Sequence, residues 1–168
     1  MKIDIDMIRE ITLSELTEER LDPITITTKD YKPGEGEITI KCYNKVWTAG
    51  WGAMSGRTVS QFFCSCDNGY LISNLSSALV SMVPMEGAEL RAALLAKAKE
   101  LELDTESFDF QFSLDDISKA EDDPEFMQKL YGPDWYYYVP EESNPDYEYL
   151  NRIVNAVKAG LQELEVTA

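Results

Sequence analysis

Residues 37–76 read EITIKCYNKVWTAGWGAMSGRTVSQFFCSCDNGYLISNLS, and this stretch decides the fold. Ile38, Ile40 and Cys42 alternate with polar residues, which is the period of a strand with one buried face. Residues 46–51 are rich in β-branched and aromatic side chains and predict a second strand after a short turn. The stretch therefore begins with two neighbouring strands and continues into a glycine-rich turn.

A helix is predicted directly after this turn. Thr58 and Gln61 have the spacing of a capping box, in which each side chain satisfies a backbone amide of the other residue. Phe62 and Phe63 follow as apolar positions. We expect Asp67-Asn68-Gly69 to end the helix, because glycine adopts the left-handed conformation found after a helix C-terminus.

Further strands are predicted on the amino-terminal side. Residues 3–7 and 11–13 alternate apolar with polar side chains, which indicates one or two strands. Residues 24–28 are β-branched throughout, and a Pro-Gly turn separates them from the strand at 37–43. An antiparallel hairpin over residues 24–43 is the expected result.

The second half of the chain reads as mostly helical. Residues 86–103 and 145–164 carry apolar side chains at helical spacing, and a shorter helix is expected between Pro124 and Gly132. Phe108, Phe110 and Phe112 alternate with polar residues and predict one more strand. In this interpretation Ser113 caps a short helix that begins with Asp115 and Asp116.

These elements predict an α+β fold, with an antiparallel sheet of four to six strands and helices packed mainly on one face. A length of 168 residues and 44% hydrophobic side chains suit a single domain over 1–168. Residues 1–83 are expected to be mostly sheet with a short helix. Residues 84–168 are expected to be mostly helical and strongly acidic.

The charge of the chain is large and uneven. The net charge is −16, and residues 101–168 hold 17 acidic side chains against four basic ones. Such a chain repels nucleic acids and anionic membranes and attracts basic surfaces. No direct nucleic-acid or membrane partner is therefore expected.

Part of the central stretch resembles a known group of proteins. Trp51-Gly52-Ala53-Met54, residues 58–63, Ser65-Cys66-Asp67 and Tyr70-Leu71 are similar to small acidic proteins encoded by bacteriophages and prophages. The resemblance covers about forty residues and implies no established activity and no functional residues. It implies a setting, which is the bacterial cytoplasm during phage infection.

Composition lowers the expectation of an enzyme. The chain has no histidine, which removes the commonest general base and the histidine ligands of metal sites. Cys42, Cys64 and Cys66 are expected to be free thiols, since the last two lack the spacing of a CxxC motif. No signal peptide, membrane helix, cofactor or metal is expected.

Two local patterns have a functional and a structural interpretation. Gly50, Gly52 and Gly56, followed by Arg57, precede a helix, as in many phosphate sites, but they match neither a P-loop nor GxGxxG. A tight turn covered by tryptophans explains them as well. Adjacent acids at 115–116, 122–123 and 141–142 would suit a cation or acid–base pair, but neighbouring residues on a helix point apart. Helix-start chemistry explains Asp115, Asp116 and Asp123 without a site.

The sequence predicts a binding protein rather than an enzyme. Its expected role is that of an acidic inhibitor that occupies a basic, nucleic-acid-binding surface of a host defence or regulatory protein, such as a restriction or CRISPR factor. The alternatives are a small carboxylate-dependent enzyme with a pocket near residues 47–57 and an acidic accessory or assembly protein without mimicry. A homodimer through residues 145–164 is also predicted. The expected partner-binding residues are Asp115, Asp116, Glu121, Asp122, Asp123, Glu125, Trp135, Tyr136, Tyr137, Glu141, Glu142, Asp146 and Glu148.

Overall fold

A computed structural model describes residues 8–18 and 20–167. The chain divides into two compact units. Residues up to Val80 and from Pro145 onward form the first, here called the sheet unit, and Ser81–Asn144 form the second, the inserted unit. The single domain predicted from the sequence stays a prediction, and the strand predicted at 3–7 lies outside the described residues.

The elements confirm the α+β class. The strands are β1 (Arg9–Leu13), β2 (Ile24–Lys32), β3 (Glu35–Cys42), β4 (Lys45–Trp51), β5 (Met82–Pro84) and β6 (Glu141–Ser143). The helices are α1 (Val59–Ser65), α2 (Asn68–Leu75), α3 (Gly87–Glu100), α4 (Phe108–Asp116), α5 (Pro124–Tyr131) and α6 (Pro145–Thr167), with short 3-10 turns at Ala120–Asp122 and Trp135–Tyr137.

In the sheet unit, β1 to β4 form an antiparallel sheet in sequence order. The predicted hairpin at 24–43 is confirmed, with Ile26 opposite Ile40. Because side chains alternate across a strand, this register puts the isoleucines of β2 and β3 on one face. That face is fully buried and packs with residues of α1, α2 and α6 in one hydrophobic core.

The capping box predicted for α1 is confirmed. Thr58 Oγ1 accepts the Gln61 N–H at 3.3 Å, and Gln61 Oε1 accepts the Thr58 N–H at 3.2 Å. The prediction that Asp67-Asn68-Gly69 only ends this helix is wrong. Asp67 begins α2 instead, because its Oδ1 accepts the Tyr70 N–H at 2.8 Å as an N-cap.

Polar side chains fix the start of α2 against α6. The Asn68 amide donates to Asn151 Oδ1 and to Asn155 Oδ1, each at 2.7 Å. Lys158 Nζ donates to Asn68 Oδ1 at 2.8 Å. Asn68, which the sequence pattern put at a helix end, therefore connects α2 to α6.

The inserted unit has its own core, built by α3, α4 and α5. Its first and last segments pair as the antiparallel strands β5 and β6, with Val83 opposite Glu142. The predicted helices at 86–103 and 124–132 are confirmed as α3 and α5, with Asp123 as N-cap and Gly132 after the last turn.

The strand predicted from the three alternating phenylalanines is wrong. Residues 108–116 form α4, in which Phe110 and Leu114 are buried one helical turn apart. Phe110 packs edge-on against Phe126 of α5, with ring centroids 5.1 Å apart. A helix fits this segment better than a strand, because the buried residues are four apart and only one of the three phenylalanines is buried.

The three cysteines are free thiols, and Cys42 is buried in the sheet core. Tyr149 donates its hydroxyl hydrogen to Cys42 Sγ at 3.4 Å. This bond and partial burial raise the pKa of Tyr149 to about 12.

Candidate functional site

Most of the net charge belongs to the inserted unit. The whole chain has a net charge of −16. Within it, Ser81–Asn144 holds 16 Asp and Glu residues and five Lys and Arg residues. The inserted unit therefore has a net charge of −11 in 64 residues.

All of the predicted partner-binding residues except Asp146 and Glu148 lie in the inserted unit. Their side chains are exposed, apart from Asp123, Trp135 and Glu142, which are half-buried. They come from the end of α4, the 3-10 turn at Ala120–Asp122, the start of α5, the 3-10 turn at Trp135–Tyr137 and β6.

Two of these acids have structural partners. Asp122 Oδ2 accepts the backbone N–H of Lys119 at 2.7 Å and that of Ser118 at 2.9 Å. These bonds lower the pKa of Asp122, because backbone donors stabilise the ionised carboxylate. Asp123 Oδ1 accepts the Phe126 N–H at 2.9 Å and caps α5.

Asp115 and Asp116 are placed differently from the sequence prediction. They do not start a helix after Ser113 but occupy the last turn of α4. Carboxylates at a helix C-terminus lie next to its partial negative charge, which is unfavourable. Both are exposed, and among the described residues neither carboxylate has an ion pair or a hydrogen bond. Helix-start chemistry therefore explains Asp123 but not Asp115 or Asp116.

A shallow groove of about 270 Å³ lies between α4 and α5. Asp109, Asp123 and Glu125 line it together with Lys129. The groove thus joins two predicted acids to Asp109, which the sequence prediction left out. It is too open and too strongly charged to resemble the enclosed apolar pocket of a small-molecule site.

Aromatic side chains accompany these acids. Tyr136 and Tyr137 are exposed, the latter by 77%, and their ring centroids are 4.3 Å apart. Trp135 packs against the core of the inserted unit. Trp135 therefore belongs to the core of the inserted unit, whereas Tyr136 and Tyr137 lie on its surface.

Sequence reasoning missed a second exposed aromatic pair. Phe108 and Phe112 are 81% and 62% exposed on α4. The strand prediction put them on the same face as buried Phe110, so their exposure was not expected. The helical spacing of Phe110 and Leu114, four residues apart, was the signal available in the sequence.

Asp146 and Glu148 belong to the sheet unit, at the start of α6. Asp146 pairs with Lys45, with 2.8 Å between Oδ1 and Nζ. The apolar row of α6, which suggested self-association, is buried in the core of the sheet unit at Leu150, Val154, Val157 and Leu161. A homodimer through 145–164 stays a prediction.

The amino-terminal end of α1, which follows the glycine-rich turn, already binds a carboxylate of the protein itself. Asp30 Oδ1 accepts the Val59 N–H at 2.7 Å, at the helix start where a phosphate would bind. Arg57 donates to Ser65 Oγ at 2.6 Å and lies 5.5 Å from the Phe62 ring centroid. Trp51 is buried against Phe62. This geometry favours the structural interpretation of Gly50, Gly52 and Gly56.

Residues 8–18 and 20–167 contain neither a metal-binding cluster nor a helix suited to a membrane. In that part of the chain, no three Cys, Asp or Glu side chains cluster in a way that would hold a metal ion. None of the helices described there combines the length and the apolar character that crossing a bilayer requires.

Comparison with known proteins places the chain in a family. No curated protein matches it, and no solved structure matches it. A family model described as a phage family matches residues 1–163, which is nearly the whole chain. This match includes residues of both units, and the chain belongs to the phage family Phage_phiTE_072.

Proposed function

We propose that this phage-family protein is an acidic binding protein whose inserted unit occupies a basic, nucleic-acid-binding surface of a host protein in the bacterial cytoplasm. The observation that carries the proposal is the excess of exposed carboxylates in one compact unit, with a net charge of −11 over Ser81–Asn144. A surface of this kind attracts basic partners and directs their approach.

The charge of the inserted unit suits competition with nucleic acid. Duplex DNA carries one charge per about 1.7 Å of axis, so eleven charges correspond to roughly 19 Å of duplex. A compact unit of this length has a radius of gyration of about 11 Å. The diameter of such a unit is therefore comparable to the length of duplex whose charge it would match.

Two observations favour a binding surface over a merely solvated one. Asp115 and Asp116 lie in the last turn of α4, where they oppose the helix dipole. Tyr136 and Tyr137 expose their rings on the same acidic unit, and buried aromatic anchors supply much of the energy of protein interfaces. Solubility alone requires neither feature.

A capture experiment tests the proposal. The full chain is immobilised and exposed at low salt to a nuclease-treated bacterial lysate, beside a variant with Asp115→Lys and Asp116→Lys. We expect basic nucleic-acid-binding proteins that salt releases from the wild-type chain and that the variant does not retain. Retention of the same proteins by both chains would contradict the proposal.

A further inference from the structure

The outward face of α4 presents an aromatic pair. Phe110 and Leu114 of this helix are buried, and Phe108 and Phe112 point away from them. The rings of Phe108 and Phe112 stack with centroids 6.2 Å apart and an angle of 26° between their planes. Two phenylalanines are thus held together while most of their surface remains exposed.

Carboxylates follow the aromatic pair on the same face. Asp115 and Asp116 come three and four residues after Phe112, and residues at these spacings are neighbours on a helix surface. Asp109, one residue after Phe108, lies beside the groove to α5. The outward face of α4 therefore combines stacked rings with carboxylates at one edge.

Resting on the proposed function, we infer that this face of α4 binds arginine side chains of the basic partner. A guanidinium group stacks on an aromatic ring and at the same time donates two hydrogen bonds to a carboxylate. The ammonium group of lysine is compact and strongly hydrated, and it lacks the planar fork that meets both requirements. The chemistry of the face selects arginine over lysine.

Within residues 8–18 and 20–167, no cation lies over the ring of Phe108 or Phe112. Arg91, the arginine of the inserted unit, donates from Nε to the carbonyl oxygen of Ile117 at 2.9 Å. In the described ranges, the cations that lie over aromatic rings do so at Tyr31, Tyr149 and Phe62, all in the sheet unit. The stacked pair on α4 remains open to a cation from another protein.

The test compares two soluble peptides of equal length and equal charge, oligoarginine and oligolysine, binding to the full chain. Isothermal calorimetry gives the affinities, and backbone NMR shifts of α4 locate the contact. We expect the arginine peptide to bind about fivefold more tightly than the lysine peptide. We also expect its largest shifts at 108–116.

Paired substitutions distinguish the effect of the aromatic rings on peptide affinity from the effect of the carboxylates. Phe108→Leu with Phe112→Leu keeps apolar bulk but removes both π faces, and it should abolish the preference for arginine. Asp115→Asn with Asp116→Asn should weaken both peptides. Tyr43→Asn with Val46→Ala removes exposed apolar surface from the sheet unit and should change neither affinity. Circular dichroism checks that each variant keeps the helix content of the wild type.

The outcomes distinguish this inference from the proposed function. Equal binding of both peptides, weakened by the aspartate substitutions but not by the leucine substitutions, would overturn the arginine site and leave the acidic binding function supported. Binding of neither peptide, or binding indifferent to the aspartate substitutions, would overturn both. A preference for arginine that survives the leucine substitutions would also overturn the inference.

Discussion

Asp123 and Phe126 are joined by a hydrogen bond from the Phe126 N–H to the Asp123 carboxylate, with 2.9 Å between nitrogen and Oδ1. This bond caps α5, which carries buried Phe126, Met127 and Leu130 into the core of the inserted unit. Asp123→Ala should therefore lower the free energy of unfolding of this unit by about 1 kcal/mol. Asp123→Asn keeps an acceptor and should lose much less. Amide hydrogen exchange of α5 measures both, and equal exchange in the two variants would contradict the capping role.

This role changes the design of charge-reversal experiments. Reversing Asp115, Asp116, Asp122 and Asp123 together to lysine would change the charge of four predicted partner-binding residues at once. Because Asp122 and Asp123 accept backbone hydrogen bonds, that variant should also be destabilised. The pair Asp115 and Asp116 is the cleaner substitution for binding studies.

The aspartates in the last turn of α4 should reduce stability. Asp115→Asn with Asp116→Asn removes two negative charges beside the C-terminal end of the helix dipole. We expect the free energy of unfolding to rise by about 0.3–1 kcal/mol for each charge. Asp109→Asn, in the first turn of the same helix, is the matched control and should act in the opposite direction. Urea unfolding followed by the helical signal tests the signs, and a loss of stability in the double variant would contradict this account.

Asp122 should make the inserted unit sensitive to acid. Hydrogen bonds from the N–H groups of Lys119 and Ser118 lower its pKa in the folded state below the ordinary value of 3.8. A lowered pKa means that the carboxylate stabilises the fold above the pKa of the unfolded chain. That contribution is lost as the pH falls through the lower folded value. A carbon-13 NMR titration of the carboxylate should have its midpoint below 3.8, and a midpoint at or above it would contradict the two hydrogen bonds.

The sheet could be predicted from the sequence because the alternation of apolar and polar residues in β2 and β3 matches the burial of their side chains. Ile24, Ile26, Ile38 and Ile40 alternate with polar residues, and every one of them is fully buried. Phe108, Phe110 and Phe112 also alternate, but the core takes only Phe110. Exposed Phe108 and Phe112 give the sequence the same alternation as a strand with one buried face. Periodicity alone therefore could not identify α4 as a helix.

The candidate site was predictable as a region but not in its details. Charge indicated the acidic segment without any knowledge of the fold. Which carboxylates are free depends on helix boundaries, and the sequence placed the boundary of α4 wrongly. Asp67 shows the same difficulty, because residues that suit a helix end also suit a helix start.

Gly36, at the start of β3, tests the packing of the sheet unit. A Cβ at Gly36 would meet the Lys29 carbonyl oxygen and lie 2.5 Å from Val59 Cγ2. Because the carbonyl is backbone within the sheet, Gly36→Ala should destabilise the unit by about 1–3 kcal/mol. Gly52→Ala meets no atom within 4 Å and should be nearly neutral. Thermal unfolding compares the two, and equal melting temperatures would contradict the close approach of α1 to the hairpin.

The central claim is that the inserted unit and nucleic acid compete for one basic surface. The most direct measurement is a titration of the captured host protein, bound to its own fluorescent oligonucleotide, with the full chain at about 50 mM and about 500 mM salt. We expect the chain to displace the oligonucleotide at low salt and its affinity to fall steeply at high salt. Asp115→Lys with Asp116→Lys should prevent displacement. A ternary complex that retains the oligonucleotide, or an affinity unchanged between the two salt concentrations, would contradict the central claim.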